Sequence, residues 1–263
     1  MDIAIECISC REGYKGTFLG DHAGPWGQTG RNENGGCFSK VMRIEEKWAI
    51  KIPEGVPPTV ACPLLCGGGT VFESVCDYVK PGTHVAVASI GGLGTAAIKF
   101  AHSYGGHVTA LSHSEAKREK CLAIGAKKYY SCLGNADKMK ELAGKFDVII
   151  DTSPANEDVA PFMEMLAFNG TYCRVGIPPV TDMEFKFSYI PLIFTQKKIA
   201  GSIVTGTRRM KQMLQLTLDD IEHYGNDPEE WKAEVVPFEM VNKIIDDLKE
   251  GRNKNNYRYV LEW

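Results

Sequence analysis

No run of eighteen apolar residues occurs in the sequence, which argues against a membrane-spanning helix of ordinary length. Neither sign of charge is in excess: 30 Lys and Arg face 33 Asp and Glu, a net charge of -3. A broad nucleic-acid footprint needs a basic surplus, so that class of partner drops out. Internal repeats and low-complexity segments are missing too, which excludes solenoid, collagen-like and disordered architectures. The opening Met1–Glu6 carries acids near both ends of a short apolar stretch, unlike a secretory signal. The cytosol is therefore the expected compartment. Histidine is scarce, with six in 263 residues, and this limits the metal ligands available.

What is present is ordinary for a globular chain: 44% hydrophobic, 10% aromatic and 24% charged residues. The length suffices for one large domain or two smaller ones with a sizeable core. Nine cysteines are an odd number for a disulfide framework, and in the cytosol most should be reduced, packed or liganding metal. Only Cys7 and Cys10 have metal-ligand spacing, and a lone CxxC is half a structural zinc site. Cys76, Cys121, Cys132 and Cys173 lie in apolar or strand-like stretches and read as packing residues.

Residues 20–36 are rich in Gly, Asn, Asp and Pro and read as a loop. Short strand patterns follow at Phe38–Ile44 and Trp48–Ile52, before Pro53, Pro57 and Pro58. Val60–Val75 reads as helix interrupted by Gly67, Gly68 and Gly69. Strands are then expected at His84–Ala88, His107–Leu111, Lys128–Ser131, Phe146–Ile150, Gly170–Val175 and Lys198–Ile203, with helical patterns between most of them. That alternation predicts an α/β fold with a doubly wound parallel sheet. Helices at Arg208–His223 and Glu239–Glu250 and strands at Ala233–Val236 and Tyr257–Leu261 complete the chain.

The first of these strands runs into Ser89-Ile90-Gly91-Gly92-Leu93-Gly94 and then a helix. In that context a glycine-rich turn points to a dinucleotide, because glycine admits the pyrophosphate and the helix N-terminus offers N–H groups to it. A tight structural turn without ligand is the alternative. An NAD site expects an acid at the end of the second strand, to bond the ribose 2′-hydroxyl. Here that position is Ser112, followed by Ser114, Lys117 and Arg118, which can hold a 2′-phosphate. NADP(H) is thus expected over NAD(H). Against it stands an N-cap serine with a solvated basic helix face, a reading that Glu115 keeps open.

Three runs carry a family resemblance: Lys51–Gly55, Ala61–Val71 (ACPLLCGGGTV) and Gly91–Gly94. They resemble the zinc-dependent medium-chain alcohol dehydrogenases, and within them the NADPH-dependent cinnamyl alcohol dehydrogenase group. Gly170–Pro178, Gly201–Ile203 and Tyr257–Val260 match the same pattern. The resemblance implies a Rossmann domain at 61–206, a partial GroES-like β-barrel remnant at 1–60, and a C-terminal segment, 207–263, that returns to it. It implies hydride transfer between NADPH and an aldehyde or primary alcohol. By the same resemblance Cys66 is a ligand of the catalytic zinc, and Thr70 a contact at the nicotinamide end. Ser89, Gly91, Gly92, Leu93 and Gly94 form the pyrophosphate turn. Ser112, Ser114 and Lys117 hold the 2′-phosphate, and Val175, Gly176 and Ser202 wall the nicotinamide.

The sequence departs from the family at its start. The segment that supplies the other Cys and the His of the catalytic zinc is expected to lie upstream of Met1, so that site reads as incomplete. Of the histidines, His22 alone lies in a loop that could reach it. In the structural-zinc pattern Cys7 and Cys10 are kept, but Gly13 and Asp21 replace the next two cysteines, so that site reads as lost. The expected function is therefore an alcohol dehydrogenase impaired by missing zinc ligands. The alternative is a catalytically inactive dinucleotide-binding remnant or partner subunit. A zinc-free quinone or enoyl reductase is disfavoured, because it would have no need of Cys66 and the CxxC pair. Exposed edges on residues 1–52 and the tail from 207 should promote association. A homodimer through Ile190–Ile199 is expected from the family habit, ordinary core being the other reading of that apolar stretch.

Overall fold

The computed structural model describes residues 49–156, 158–178, 188–223, 233–250 and 258–262. The expectations for Cys7, Cys10, Gly13, Asp21, His22, the loop 20–36 and the strand Phe38–Ile44 lie outside the described residues. The chain divides into two compact units, one of residues 1–69 with 204–263 and one of Thr70–Ile203.

Three helical segments follow one another without a break: α1 (Pro58–Pro63), a π turn (Leu64–Gly68) and α2 (Gly69–Tyr78). The expected interruption at Gly67–Gly69 takes the form of the π turn, which includes Gly67 and Gly68, and the chain stays helical through it. These glycines are buried, and Gly68 and Gly69 leave room for the side chains of Leu64 and Met210. They serve packing, not breakage. Ala49–Ile52 form no strand, contrary to expectation. The run Pro58–Tyr78 is apolar and long enough to cross a membrane by composition alone, but 61% of its most apolar window is buried, as in a core helix.

The second unit is built on a six-stranded sheet: β1 (His84–Ala88), β2 (His107–Ser112), β3 (Lys128–Ser131), β4 (Phe146–Asp151), β5 (Leu166–Arg174) and β6 (Lys198–Gly201). Its order is β3-β2-β1-β4-β5-β6 and every pairing is parallel. This is the doubly wound Rossmann arrangement, with its reversal of strand order between β1 and β4. The intervening helices are α3 (Gly92–Ser103), α4 (Arg118–Ala123), α5 (Ala136–Lys140), α6 (Ala160–Met165) and α7 (Tyr189–Thr195). Parallel strands lie between layers of helix, so their residues are nearly all apolar: Val85–Ala88 and Val148–Ile150 are buried. The core gathers Leu111, Phe146, Ile149, Phe162, Leu166 and Tyr172. Between α2 and α3, Phe72 meets Phe100 edge to face at 5.2 Å.

Register aligns the ends of the strands. Ala88 pairs with Leu111 and Asp151, Asp151 with Arg174, and Arg174 with Gly201. The segments leaving β1, β4, β5 and β6 therefore emerge side by side along one carboxyl edge.

The first unit continues with α8 (Thr207–His223), β7 (Ala233–Pro237), a 3₁₀ turn (Phe238–Met240), α9 (Val241–Lys249) and β8 (Arg258–Glu262). Met210, Met213 and Leu214 are buried along α8 at helical spacing. Strands β7 and β8 pair in parallel, and α1 packs on both. Among the described residues this unit has one two-stranded sheet, and the expected GroES-like barrel remnant is not shown by it.

Cys121, Cys132 and Cys173 are buried, as their apolar surroundings predict, Cys76 is half-buried with its Sγ 3.2 Å from the Tyr104 hydroxyl, and Cys62 and Cys66 are exposed. Burial pushes the thiols of Cys121 and Cys132 up to about 11. Both stay protonated near neutrality, and only a thiolate reacts quickly. Pulse alkylation of the folded chain at pH 8, read by peptide mass spectrometry, should label Cys62 and Cys66 and spare Cys121 and Cys132. Fast labelling of Cys121 would contradict the packing described here.

Candidate cofactor site on the carboxyl edge

Strand β1 ends at Ala88, and the chain turns through Ser89 into α3. Ser89 has φ +66, the left-handed conformation that glycine adopts easily and serine rarely. Its amide donates to the Leu111 carbonyl at 3.0 Å, and its own carbonyl accepts from the Thr152 hydroxyl at 2.5 Å and the Gly91 amide at 3.3 Å. These contacts hold a conformation that would otherwise cost about 1–3 kcal/mol. Gly94 faces this carbonyl: a Cβ there would lie 2.4 Å from Ser89 O. So helix and strand can meet this closely only at glycine. Gly91 differs. A Cβ on it would meet nothing within 4 Å, so its surface is open. Gly91 caps α3 with no side-chain cap bond, and the first amides of the helix have no intrahelical acceptor. An open glycine beside such amides, at the positive end of a helix, suits a phosphate group. Gly92 and Leu93, expected in the turn, form the first residues of α3.

Ser112 is the last residue of β2 and is buried, so no acid stands at that strand end. Ser114 precedes a 3₁₀ turn, Glu115–Lys117, but its side chain makes no capping bond. Ser114 thus stands at the N-cap position without acting as a side-chain cap. Glu115 is neutralised by Arg118, whose Nε donates to Glu115 Oε2 at 2.6 Å and holds the carboxyl below its ordinary range. Arg118 also donates to the Tyr129 carbonyl at 3.2 Å and lies over the Tyr129 ring. It is thus turned to its own helix and β3, and does not join the lysine. Lys117 Nζ reaches the other way and donates to Ile90 O at 2.5 Å, which brings its charge to the glycine turn.

The far end of the edge is equally bound together. The Ser202 hydroxyl donates to Thr70 O at 3.0 Å, and the Ser202 amide to Arg174 O at 3.1 Å. Val175 and Gly176 both donate their amides to the Asp151 carbonyl, at 2.9 and 3.0 Å. Gly176 is required by packing, because a Cβ would lie 1.9 Å from Ser153 O. Thr70, Ser89, Gly91–Gly94, Ser112, Val175, Gly176 and Ser202 thus line one edge of the second unit. Ser114 and Lys117 follow β2 at that edge. Cys66 sits in the π turn of the first unit. No three His, Cys, Asp or Glu side chains that could hold a metal converge among the described residues.

Two roles escaped the sequence reading. Thr152, just past β4, donates its hydroxyl to Ala88 O and Ser89 O and clamps the glycine turn. Asp151, fully buried, accepts from the Tyr172 hydroxyl at 2.6 Å and pairs with Arg174. Burial, then the neighbouring Asp151, raises the Tyr172 phenol, so it remains a neutral donor. An acid at a strand end was the available signal for Asp151. Tyr172 and Arg174, one alternation apart on β5, were its prospective partners.

The contacts separate fold from access. Gly94→Ala and Gly176→Ala should each destabilise by about 1–3 kcal/mol or more, because the methyl strikes a backbone carbonyl. Gly91→Ala should stay within about 0.5 kcal/mol of the wild type. Urea unfolding of the three variants checks the contrast, and equal losses would refute it.

A model of the family described as zinc-binding dehydrogenase matches residues 92–219. A protein named as a probable formaldehyde dehydrogenase of Bacillus subtilis is 35% identical over 88% of this chain and 63% of its own length. An NADP-dependent alcohol dehydrogenase C of Mycolicibacterium smegmatis is 31% identical over the whole chain and 72% of its own length. A solved cinnamyl alcohol dehydrogenase of Sorghum bicolor superposes with a TM-score of 0.69 at 31% identity, covering 83% of this chain and 58% of that one. The chain thus spans less than two thirds of the length of the first and third of these proteins.

Proposed function

Because the chain belongs to the zinc-binding dehydrogenase family, we propose that it binds NADP(H) and serves hydride transfer between that cofactor and an aldehyde or primary alcohol. The observation that carries the cofactor choice is Ser112, which stands where an NAD site would have an acid, with Lys117 brought to the glycine turn. An acid there would repel a 2′-phosphate, whereas hydroxyls and an ammonium attract it. Gly91 and the first amides of α3 receive the pyrophosphate. The segment Val175–Gly176 and Ser202 orient the nicotinamide end. NADPH, when bound, supplies the hydride.

In the expected catalytic set, Cys66 is the one member among the described residues, and the described residues do not complete a zinc site. What this chain's described residues do is bind and orient the cofactor. A second reading is cofactor binding without turnover, since no three side chains that could hold a metal converge among the described residues. We also place the protein in the cytosol, where its exposed thiols would stay reduced.

NADPH oxidation by the purified chain against a panel of aldehydes, with and without a zinc chelator, tests the function. Weak turnover that the chelator leaves unchanged is the expected result, and turnover that the chelator abolishes would overturn the reading of the lost zinc ligands. NADPH binding without turnover would favour the second reading, and absence of NADPH binding would sink both. Lys117→Ala should raise the Kd for NADPH about tenfold and leave NADH within about twofold, because only NADPH carries the 2′-phosphate. Equal losses for both cofactors would refute the assignment of Lys117.

The reading includes a homodimer. Tyr189, Ile190, Ile193 and Phe194 on α7 are 64–76% exposed, while Leu192 and Ile199 pack partly buried against the core, so ordinary core accounts for only part of that stretch. Phe168 and Ile177 add to the exposed apolar surface of this unit. Strand β6 ends the sheet and leaves one edge without a strand partner among the described residues. Apolar area beside a sheet edge suits a second copy of the same chain. Light scattering should give twice the chain mass, and Ile193→Asp with Phe194→Asp should give a folded monomer. A monomeric wild type would end this part of the reading.

A further inference from the structure

Arg174 ends β5, its side chain 22% exposed, and each of its guanidinium nitrogens is committed. One pairs with buried Asp151. Nε donates to the Gly176 carbonyl at 2.8 Å, and the remaining nitrogen to the Ala155 carbonyl at 2.6 Å. Ala155 lies on the segment that leaves β4, and Gly176 on the segment that leaves β5. One planar fork thus joins both segments to a carboxylate anchored in the sheet. The Ala155 carbonyl belongs to a short turn that is itself fixed, since the Ala155 amide donates to Ser153 Oγ at 3.2 Å and the Ser153 amide to Asp151 Oδ1 at 2.9 Å. The Arg174 carbonyl accepts from the Ser202 amide, so the same residue also holds the segment that leaves β6.

We infer that Arg174, held by Asp151, is a positioning residue that sets the Val175–Gly176 segment for the nicotinamide end of the cofactor, without touching the adenosine end. This rests on the reading of Val175–Gly176 as the nicotinamide wall. Arg174 supplies a donor to the carbonyl face of that segment. Its amides are turned in to the Asp151 carbonyl, and the Gly176 carbonyl is turned to the guanidinium. Loss of the fork frees the peptide after Gly176 to rotate, while β5, β4 and the glycine turn keep their own hydrogen bonds. The adenosine end is bound at β2 and the 3₁₀ turn after it, through residues that Arg174 does not contact.

Arg174→Lys tests this, because lysine keeps a positive charge for Asp151 and loses the fork that spans two carbonyls. Two probes are titrated against the full chain: NADPH, and adenosine 2′,5′-bisphosphate, which lacks the nicotinamide. The variant should bind NADPH about tenfold more weakly, hold the bisphosphate within about twofold, and lose the fluorescence enhancement of bound reduced nicotinamide. A purely structural salt bridge would weaken both probes together, and that result, or no change in either, overturns the inference. So does loss of the cooperative melt in Arg174→Lys, which would assign the residue to folding. Wild-type chain that binds neither probe overturns the NADP(H) reading itself. Wild-type chain that binds both, with an unaffected variant, overturns only the role of Arg174.

Discussion

The carbonyl oxygen of Ser89 is the point on which the carboxyl edge is built. It accepts from the Thr152 hydroxyl and the Gly91 amide, and it sits where any side chain at position 94 would have to go. Three separate parts of the chain meet there: the end of β1, the start of α3 and the segment beyond β4. The parallel pairing of β1 and β4 at the reversal of strand order is thus fastened at its carboxyl end by the Thr152 hydroxyl. A left-handed serine is tolerated because its amide and carbonyl are both used. The open face of Gly91 follows from the same geometry. The turn closes inward on the Ser89 carbonyl, so its outer side stays clear beside the first amides of α3.

A second constraint governs the other half of the edge. Asp151 is fully buried, and a buried carboxylate is costly unless its charge and lone pairs are met. Tyr172, Arg174 and the Ser153 amide meet them. As stabilisation this is worth little against an apolar core of the same volume, since desolvation consumes most of the Coulomb gain. As geometry it is worth more. It selects one direction for the guanidinium, and through it one orientation for the peptides after β4 and β5. Polar groups placed inside a parallel sheet end are hard to justify by stability, and easy to justify by the orientation they impose.

Much of this was legible in the residues. The period of apolar strands and helices located all six strands of the large sheet, and the glycine cluster marked the turn between β1 and α3. Both signals are local, so they survive without knowledge of the fold. What was not legible depends on contacts between distant segments. Gly67–Gly69 read as a break, because the space they leave for Leu64 and Met210 cannot be seen along the chain. The helix at Tyr189–Thr195 was missed, since an apolar run that faces outward has the same composition as one that faces in. Thr152 is a common residue after a strand, and only the parallel register of β1 with β4 sets its hydroxyl on Ser89. Arg118 and Lys117 are adjacent and equally basic. Tyr129 and Glu115 on one side, and Ile90 on the other, decide that they point apart.

The distribution of these residues over the two units has a consequence for how such a chain can change. Thr70 to Ser202, which hold every proposed cofactor contact, fall within one unit with its own sheet and core. Cys66 falls in the other. The proposed recognition of a dinucleotide therefore draws on one self-contained unit, through backbone contacts at the glycine turn and through the side chains of Ser112, Ser114 and Lys117. Gly91, Gly94 and Gly176 act through having no side chain at all, and Thr152 and Arg174 act on carbonyls. Metal binding has the opposite character, because it needs several specific side chains to converge, and losing one of them leaves the others with no site. Cofactor binding should consequently be the more persistent property of this fold. In a chain where both are in question, binding and turnover have to be measured as two properties, since the physical basis of one does not carry the other.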